Sequence, residues 1–246
     1  MAKSFEQLLE TFALTKKYLK QQMELGWEEV YLSDEKSRSA ESAPVTKKEK
    51  SICSKEKELK KFYLEIKDCT KCHLGKTRTN FVFGVGTPES KVMFIGEAPG
   101  REEDLQGEPF VGAAGKLLDK ILEAIKFKRS DVYIANILKC RPPENRDPLP
   151  EEIEICQPYL LRQIKIMKPE IICALGRISA QVLLKSKLPL NQLRGAFHDF
   201  RLEGFSKPIK FLVTYHPAAL LRYPQYKKQT WEDVQLLRKE YDRLGV

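Results

Sequence analysis

No apolar run in these 246 residues approaches membrane-spanning length, and the opening MAKSFEQLLE holds no apolar signal segment. Both absences lead to the expectation of a soluble, cytoplasmic protein without membrane contact. Cysteine is sparse at six residues, and in a reducing compartment a disulfide framework is not expected. Histidine is scarcer still, with three residues, so acid–base or donor chemistry by imidazole has few places to reside. No internal repeat is visible. A one-sided charge is missing from the first part of the chain, where residues 1–68 carry 14 Lys+Arg against 13 Asp+Glu; residues 69–246 carry 29 against 21, which accounts for most of the net +9. The basic excess therefore belongs to the main domain and suits a polyanionic partner such as nucleic acid, although basic proteins that bind none are common.

What is present begins with the cysteines. Cys69 and Cys72 form a tight CxxC, completed far downstream by Cys140 and Cys156 with fifteen residues between them. A zinc ribbon pairs one CxxC with a second close pair on a turn, and Cys140 and Cys156 are too far apart to share one. An all-thiolate iron–sulfur cluster tolerates irregular spacing better, so the spacing favours a cluster and leaves zinc open.

Residues 4–31 place Phe5, Leu8, Leu9, Phe12, Leu19, Met23, Trp27 and Val30 at three- and four-residue steps, which predicts an amphipathic helix within residues 1–32. Residues 33–60 are Ser- and Lys-rich and aperiodic for most of their length, which predicts a flexible linker before a main domain at 61–246. In that domain KVMFIG, DVYIANI, EIICALG and FLVTYH read as buried strands, separated by helical segments at 113–125, 150–167 and 177–186. The expected fold class is α/β, a central four-stranded parallel sheet flanked by helices, with an N-terminal helical extension. Ligands of such sheets collect beyond the carboxyl ends of the strands.

Those ends carry distinctive residues. The first runs into Gly96-Glu97-Ala98-Pro99-Gly100, a tight turn presenting backbone amides and one carboxylate, followed by Arg101-Glu102-Glu103-Asp104. Pro109-Phe110-Val111-Gly112 then leads into a helix, and the phenyl ring is either ordinary core or a platform for a planar ligand. The second strand ends at Asn136, whose amide offers donor and acceptor in one plane and matches the N3–H and O4 edge of a uracil, or alternatively caps a turn. The fourth ends at His216, ahead of the apolar and basic Pro217-Ala218-Ala219-Leu220-Leu221-Arg222.

Taken together, CTKCHLGKTRTNFVFGVG, FIGEAPGREEDLQGEPFVGAAG, NILKCRPPENRDP, the Cys140 to Cys156 spacing and YHPAALLR resemble the family 4 uracil-DNA glycosylases, the iron–sulfur branch of the uracil-DNA glycosylase superfamily. The likeness covers residues 69 to about 240, with five motifs in the same order. It implies a three-layer sandwich and a base-excision repair enzyme that flips uracil out of single- or double-stranded DNA and hydrolyses its N-glycosidic bond, leaving an abasic site. A 4Fe-4S cluster would be held by Cys69, Cys72, Cys140 and Cys156. Uracil would be bound by Gly96, Glu97, Ala98, Phe110, Asn136 and His216, with catalytic roles for Glu97, His216 and Glu103. Ala98 stands where relatives elsewhere in the superfamily carry a water-activating aspartate, which leaves water to be oriented by Glu97, the first choice, or by Glu103, unless leaving-group stabilisation suffices with only weak activation. DNA would meet Lys139, Arg141 and Arg222, with Leu220 or Leu221 as a wedge. The expected protein is a monomer, and its N-terminal helix, outside the family pattern, is a candidate surface for a repair partner. A cluster-bearing DNA binder without turnover would be expected to have lost one of Glu97, Asn136 and His216, and a sister enzyme with broader base preference is the remaining alternative.

Overall fold

The computed structural model describes residues 54–245, so the expected N-terminal helix and most of the linker lie outside the described residues. In chain order the described elements are α1 (Ser54–Ile66), α2 (Leu74–Thr77), β1 (Val85–Gly86), β2 (Val92–Gly96), α3 (Arg101–Gln106), α4 (Ala113–Ala124) and β3 (Tyr133–Asn136). They continue with α5 (Pro150–Met167), β4 (Ile171–Leu175), α6 (Arg177–Leu184), α7 (Leu190–Leu193), β5 (Phe197–Phe200), β6 (Ile209–Thr214), α8 (Pro217–Arg222) and α9 (Lys227–Arg243). The described part of helix α1 includes seven residues, 54–60, of the segment expected as linker. Leu59, Phe62 and Ile66 recur at helical spacing and are buried, while the lysines that made the segment read as linker lie on the solvent side.

The sheet order is β1-β3-β2-β4-β6-β5. Strands β3, β2, β4 and β6 pair in parallel, in agreement with the expected four-stranded centre, while β1 and β5 add antiparallel edges. These edges escaped the sequence reading because β1 has two residues and β5 is only part-buried. The central strands are buried on both faces, and alternate residues serve opposite layers. Met93 and Ile95 of β2 pack with Leu59 and Phe62 of α1 and Leu160 and Ile164 of α5. Val92 and Phe94 pack on the other side with Leu118 and Leu122 of α4 and Val234 and Leu237 of α9. The result is a three-layer sandwich. Successive crossovers from β2 go first to β3 on one flank and then, by way of α5, to β4 on the other, so the strand order reverses at the carboxyl end of β2. Among the described residues no helix is long and apolar enough to cross a membrane.

Candidate active site

At that reversal point three strand ends converge. Gly96 closes β2 where no side chain fits: an added Cβ would run into Asn136 Oδ1 and come within 2.7 Å of Phe110 Cζ. The absence of a side chain there lets the asparagine of β3 and the phenyl ring share one slot. Asn136 is buried, and its Oδ1 has no hydrogen-bond partner among the described residues. A buried, unpartnered carbonyl oxygen is costly unless a ligand satisfies it, and in this position it faces the slot.

Phe110 itself is strained, with φ at 55° in the left-handed region. Two features hold it there. Gly115 leaves room for the Phe110 carbonyl, which a Cβ would strike. The Glu103 carboxylate accepts hydrogen bonds from Gly100 N at 3.1 Å and from Val111 N and Gly112 N at 2.9 Å each. One side chain thus ties the turn after β2 to the loop that carries the ring. With three backbone donors on it, Glu103 is placed to position the loops. Glu103→Gln, which exchanges one acceptor oxygen for a donor against these N–H groups, is expected to lower the unfolding midpoint by roughly 3–10 °C. Scanning calorimetry reads this directly; an unchanged midpoint would rule out the clamp.

His216 caps α8: its Nδ1 accepts from Ala218 N at 3.1 Å, which leaves the ring proton on Nε2. Burial, helped by the Arg222 charge, lowers its pKa to about 4, so the imidazole is neutral at physiological pH and still carries one N–H donor. Its ring centroid lies 5.4 Å from that of Phe110. Gly176, with φ at 97°, keeps β4 clear, since a Cβ there would sit 3.0 Å from His216 Cβ.

Glu97, Phe110, Asn136 and His216 line one cavity of about 330 Å³, a volume suited to a small ligand. Gly100, Glu103, Ala98 and Arg222 also border it, as do Asn145, Arg146 and Asp147, which the sequence reading did not single out. Their one signal was membership of the NRDP stretch. Asp147 pairs with Arg177 at 2.7 Å, and Arg146 makes a bidentate bond to the buried carboxylate of Glu152 at 2.7 and 2.9 Å. Glu97 is pushed up to about 7, mainly by burial and then by the Asp147 charge, with Arg177 opposing.

Two expected DNA contacts are corrected. Lys139 is fully buried, and its ammonium donates to Asn136 O at 2.9 Å, Phe83 O at 3.1 Å and Gln163 Oε1 at 2.6 Å. It satisfies carbonyls left free where β3 ends, out of reach of any phosphate. Leu220 is 1% exposed and packs inward, whereas Leu221 is 49% exposed, so only Leu221 is free to wedge. Arg141 lies beside the loop, its Nε donating to Asn145 Oδ1 at 2.8 Å.

Cys69, Cys72, Cys140 and Cys156 are all free thiols. Their sulfurs meet hydrogen-bond donors: Arg78 Nη1 lies 3.2 Å from Cys140 Sγ, Lys139 N lies 3.3 Å from Cys156 Sγ and Tyr159 OH lies 3.2 Å from Cys69 Sγ. Cys140 interacts electrostatically with Cys69 and Cys72, and Cys156 with Cys140 and Cys72, so the four side chains form one neighbourhood. Among the described residues no three His, Cys, Asp or Glu side chains converge on a single ion. Three of the four sulfurs thus meet an N–H or O–H donor, surroundings that fit the thiolate ligands of an iron–sulfur cluster.

The model of the uracil DNA glycosylase superfamily matches residues 83–235. A type-4 uracil-DNA glycosylase of Archaeoglobus fulgidus is 48% identical over 173 residues, 69% of this chain and 86% of that protein. Another from Saccharolobus solfataricus is 45% identical over 180 residues, covering 71% of this chain and 82% of its own. The type-4 enzyme of Thermotoga maritima is 44% identical over 158 residues, 64% of this chain and 80% of that one. With more than half its length matched to the superfamily and type-4 proteins covering most of the catalytic domain, the chain belongs to the uracil-DNA glycosylase superfamily and to its type-4 branch.

Proposed function

We propose that this protein is a base-excision repair glycosylase that hydrolyses the N-glycosidic bond of uracil in DNA. The observation that carries the reading is the slot in which the unpartnered Oδ1 of Asn136, the strained ring of Phe110 and the Nε2–H of neutral His216 meet. Asn136 Oδ1 accepts from uracil N3–H while the amide nitrogen donates to O4; cytosine presents the reverse pattern and leaves both groups unsatisfied. Phe110 stacks on the extruded base.

In the reaction the C1′–N1 bond breaks with its electron pair passing to uracil, where the charge spreads onto O2. The Nε2–H of His216 donates there, and its hydrogen bond strengthens as charge develops. The deoxyribose becomes cation-like and is stabilised by ionised Glu97, which also orients the water that forms the new C1′–O bond and accepts the proton that water loses, while the released uracil anion takes up a proton from solvent. DNA lies across the basic side of the cavity, near Arg141 and Arg222, with Leu221 as wedge. Cys69, Cys72, Cys140 and Cys156 hold a 4Fe-4S cluster. When bound, the cluster supplies four iron–sulfur bonds that tie the residues before β1 to the loop after β3 and to α5.

The test is incubation of the purified chain with uracil-containing oligonucleotides, followed by alkali; cleavage at the uracil position is expected, and intact strands overturn the proposal. Glu97 is tested by pH. Its carboxylate is protonated below about 7, so the single-turnover rate is expected to rise with pH through that value and then level off. His216 stays neutral above about 4 and adds no limb between pH 5 and 9. Glu97→Gln should lower the plateau about 100-fold and flatten the profile; full-rate excision by this variant would remove Glu97 from the mechanism.

A further inference from the structure

Beyond the cavity, the end of α8 forms a tip whose exposure is not explained by packing. Residues 221–228 read Leu-Arg-Tyr-Pro-Gln-Tyr-Lys-Lys. Leu221 and Tyr223 are 49% and 52% exposed, and Arg222, Lys227 and Lys228 are exposed as well. An exposed leucine and tyrosine beside three cations supply what a single strand of nucleic acid requires: a ring to stack on and charges for phosphates. The tip adjoins the cavity, because Ala218, Ala219 and Arg222 of the same short helix line it.

The tip is also rigidly supported. Tyr223 packs edge-on against Tyr226, with centroids 6.0 Å apart, and Tyr226 stacks flat on Tyr215 at 4.3 Å and 8°. The Arg194 guanidinium lies 5.9 Å from the Tyr215 ring centroid. That arginine is locked by bonds of 2.8 and 3.0 Å to Asp233, a fully buried carboxylate that also accepts from Thr214 Oγ1 at 2.8 Å. Tyr223 N donates to Ala219 O at 2.8 Å and Tyr226 N to Tyr223 O at 3.2 Å, so the backbone of the tip is closed on itself. Three tyrosines thus run from the residue next to His216 outward to an exposed ring. A stacking surface held this firmly loses little conformational freedom on binding.

We propose that Tyr223 stacks on a base flanking the extruded nucleotide while Lys227 and Lys228 hold the neighbouring phosphates, so that the 221–228 tip grips the strand beside the lesion. This rests on the glycosylase reading above and adds binding residues to it. Adjacency to the cavity and the mixture of aromatic and basic groups favour a nucleic-acid strand over a protein partner.

The experiment measures binding of the full chain to a fluorescent single-stranded oligonucleotide carrying a stable abasic-site analogue, alongside single-turnover excision from the matching uracil strand. Tyr223→Ala is expected to weaken binding and raise the half-saturating concentration about tenfold, with the loss falling there more than on the saturated rate. Tyr223→Phe, which retains the ring, should behave as wild type. Lys227→Ala with Lys228→Ala should reduce the slope of log affinity against log salt by about 1.4 on a single strand. Wild-type affinity and salt slope in all these variants, with excision intact in the parent protein, would overturn the tip assignment alone and leave its exposed residues to a protein partner. Tyr223→Phe as defective as Tyr223→Ala would overturn stacking. A parent protein that neither excises uracil nor binds the analogue would instead bring down the underlying glycosylase reading. Thermal midpoints of the variants, expected to match the parent because the changed side chains are exposed, separate loss of contact from loss of fold.

Discussion

His216→Ala is expected to lower the saturated single-turnover rate of uracil excision by about 100- to 1,000-fold, the range for removal of one preorganised donor to a developing oxyanion. The size of the effect follows from the state of the ring. Nδ1 is occupied by the Ala218 N–H, and the pKa of about 4 keeps the imidazole neutral, so the donor is a fixed Nε2–H that needs no proton taken up from solvent. The defect should therefore be of similar size from pH 6 to 9. A charged imidazolium would instead make the parent rate fall with rising pH, opposite in sign to the rise expected from Glu97. The ring also packs near Phe110, so His216→Asn, which restores a shorter N–H donor, should recover part of the rate. A saturated rate within tenfold of the parent for His216→Ala would mean that uracil O2 is stabilised by something else.

The second large effect is expected from the cysteines. Cys140→Ala or Cys156→Ala should abolish the brown colour and lower the bound iron and sulfide, whereas Cys173→Ala, on β4 outside the thiol group, should retain them. If loss of the cluster costs at least as much as loss of a cross-link, about 2–5 kcal/mol, the unfolding midpoint falls by roughly 5–20 °C for a domain of this size. Excision should fall as well, although no ligand enters the uracil slot. Cys140 lies four residues past Asn136, and Cys156 is in α5 four residues beyond Glu152, whose carboxylate holds Arg146 in the cavity wall. Releasing either sulfur frees the segment that shapes that wall. A colourless, zinc-containing parent protein would overturn the cluster assignment, and so would full iron content in Cys156→Ala.

Glu97 makes the stability of the fold depend on pH. Its pKa is raised by burial, so ionising it costs the folded state more than the unfolded one. Its burden on stability is absent below its unfolded pKa of about 4.3 and grows as pH rises towards the folded value of about 7. The carboxylate to which the proposed mechanism assigns the ionised role is thus one whose ionisation burial opposes.

Much of this protein was legible in its sequence. The four parallel strands were readable because each is a short apolar run buried on both faces, a property that depends on local composition. The reaction class was legible through the resemblance carried by five motifs in order; the residue types alone, four thiols, an amide at a strand end and an imidazole before a proline, left zinc, a turn cap and ordinary core open. Other matters were decided only when distant segments met. Lys139 looked like a phosphate ligand because lysines usually are solvated, but the carbonyls of Asn136 and Phe83 and the amide of Gln163 converge around it from three parts of the chain. Leu220 and Leu221 are indistinguishable as letters, yet the facing of α8 buries one and exposes the other. Glu103 was read as a carboxylate beside the site and is occupied by backbone donors from two loops. Asp147 shifts Glu97 across fifty residues of sequence, and Tyr215, Tyr226 and Tyr223 form a support only through the turn that stacks them. The sequence by itself determined which chemical groups the protein possesses and which runs must be buried. Tertiary structure alone decided which groups remain free to act, because availability depends on burial and hydrogen-bond competition from residues remote in the chain.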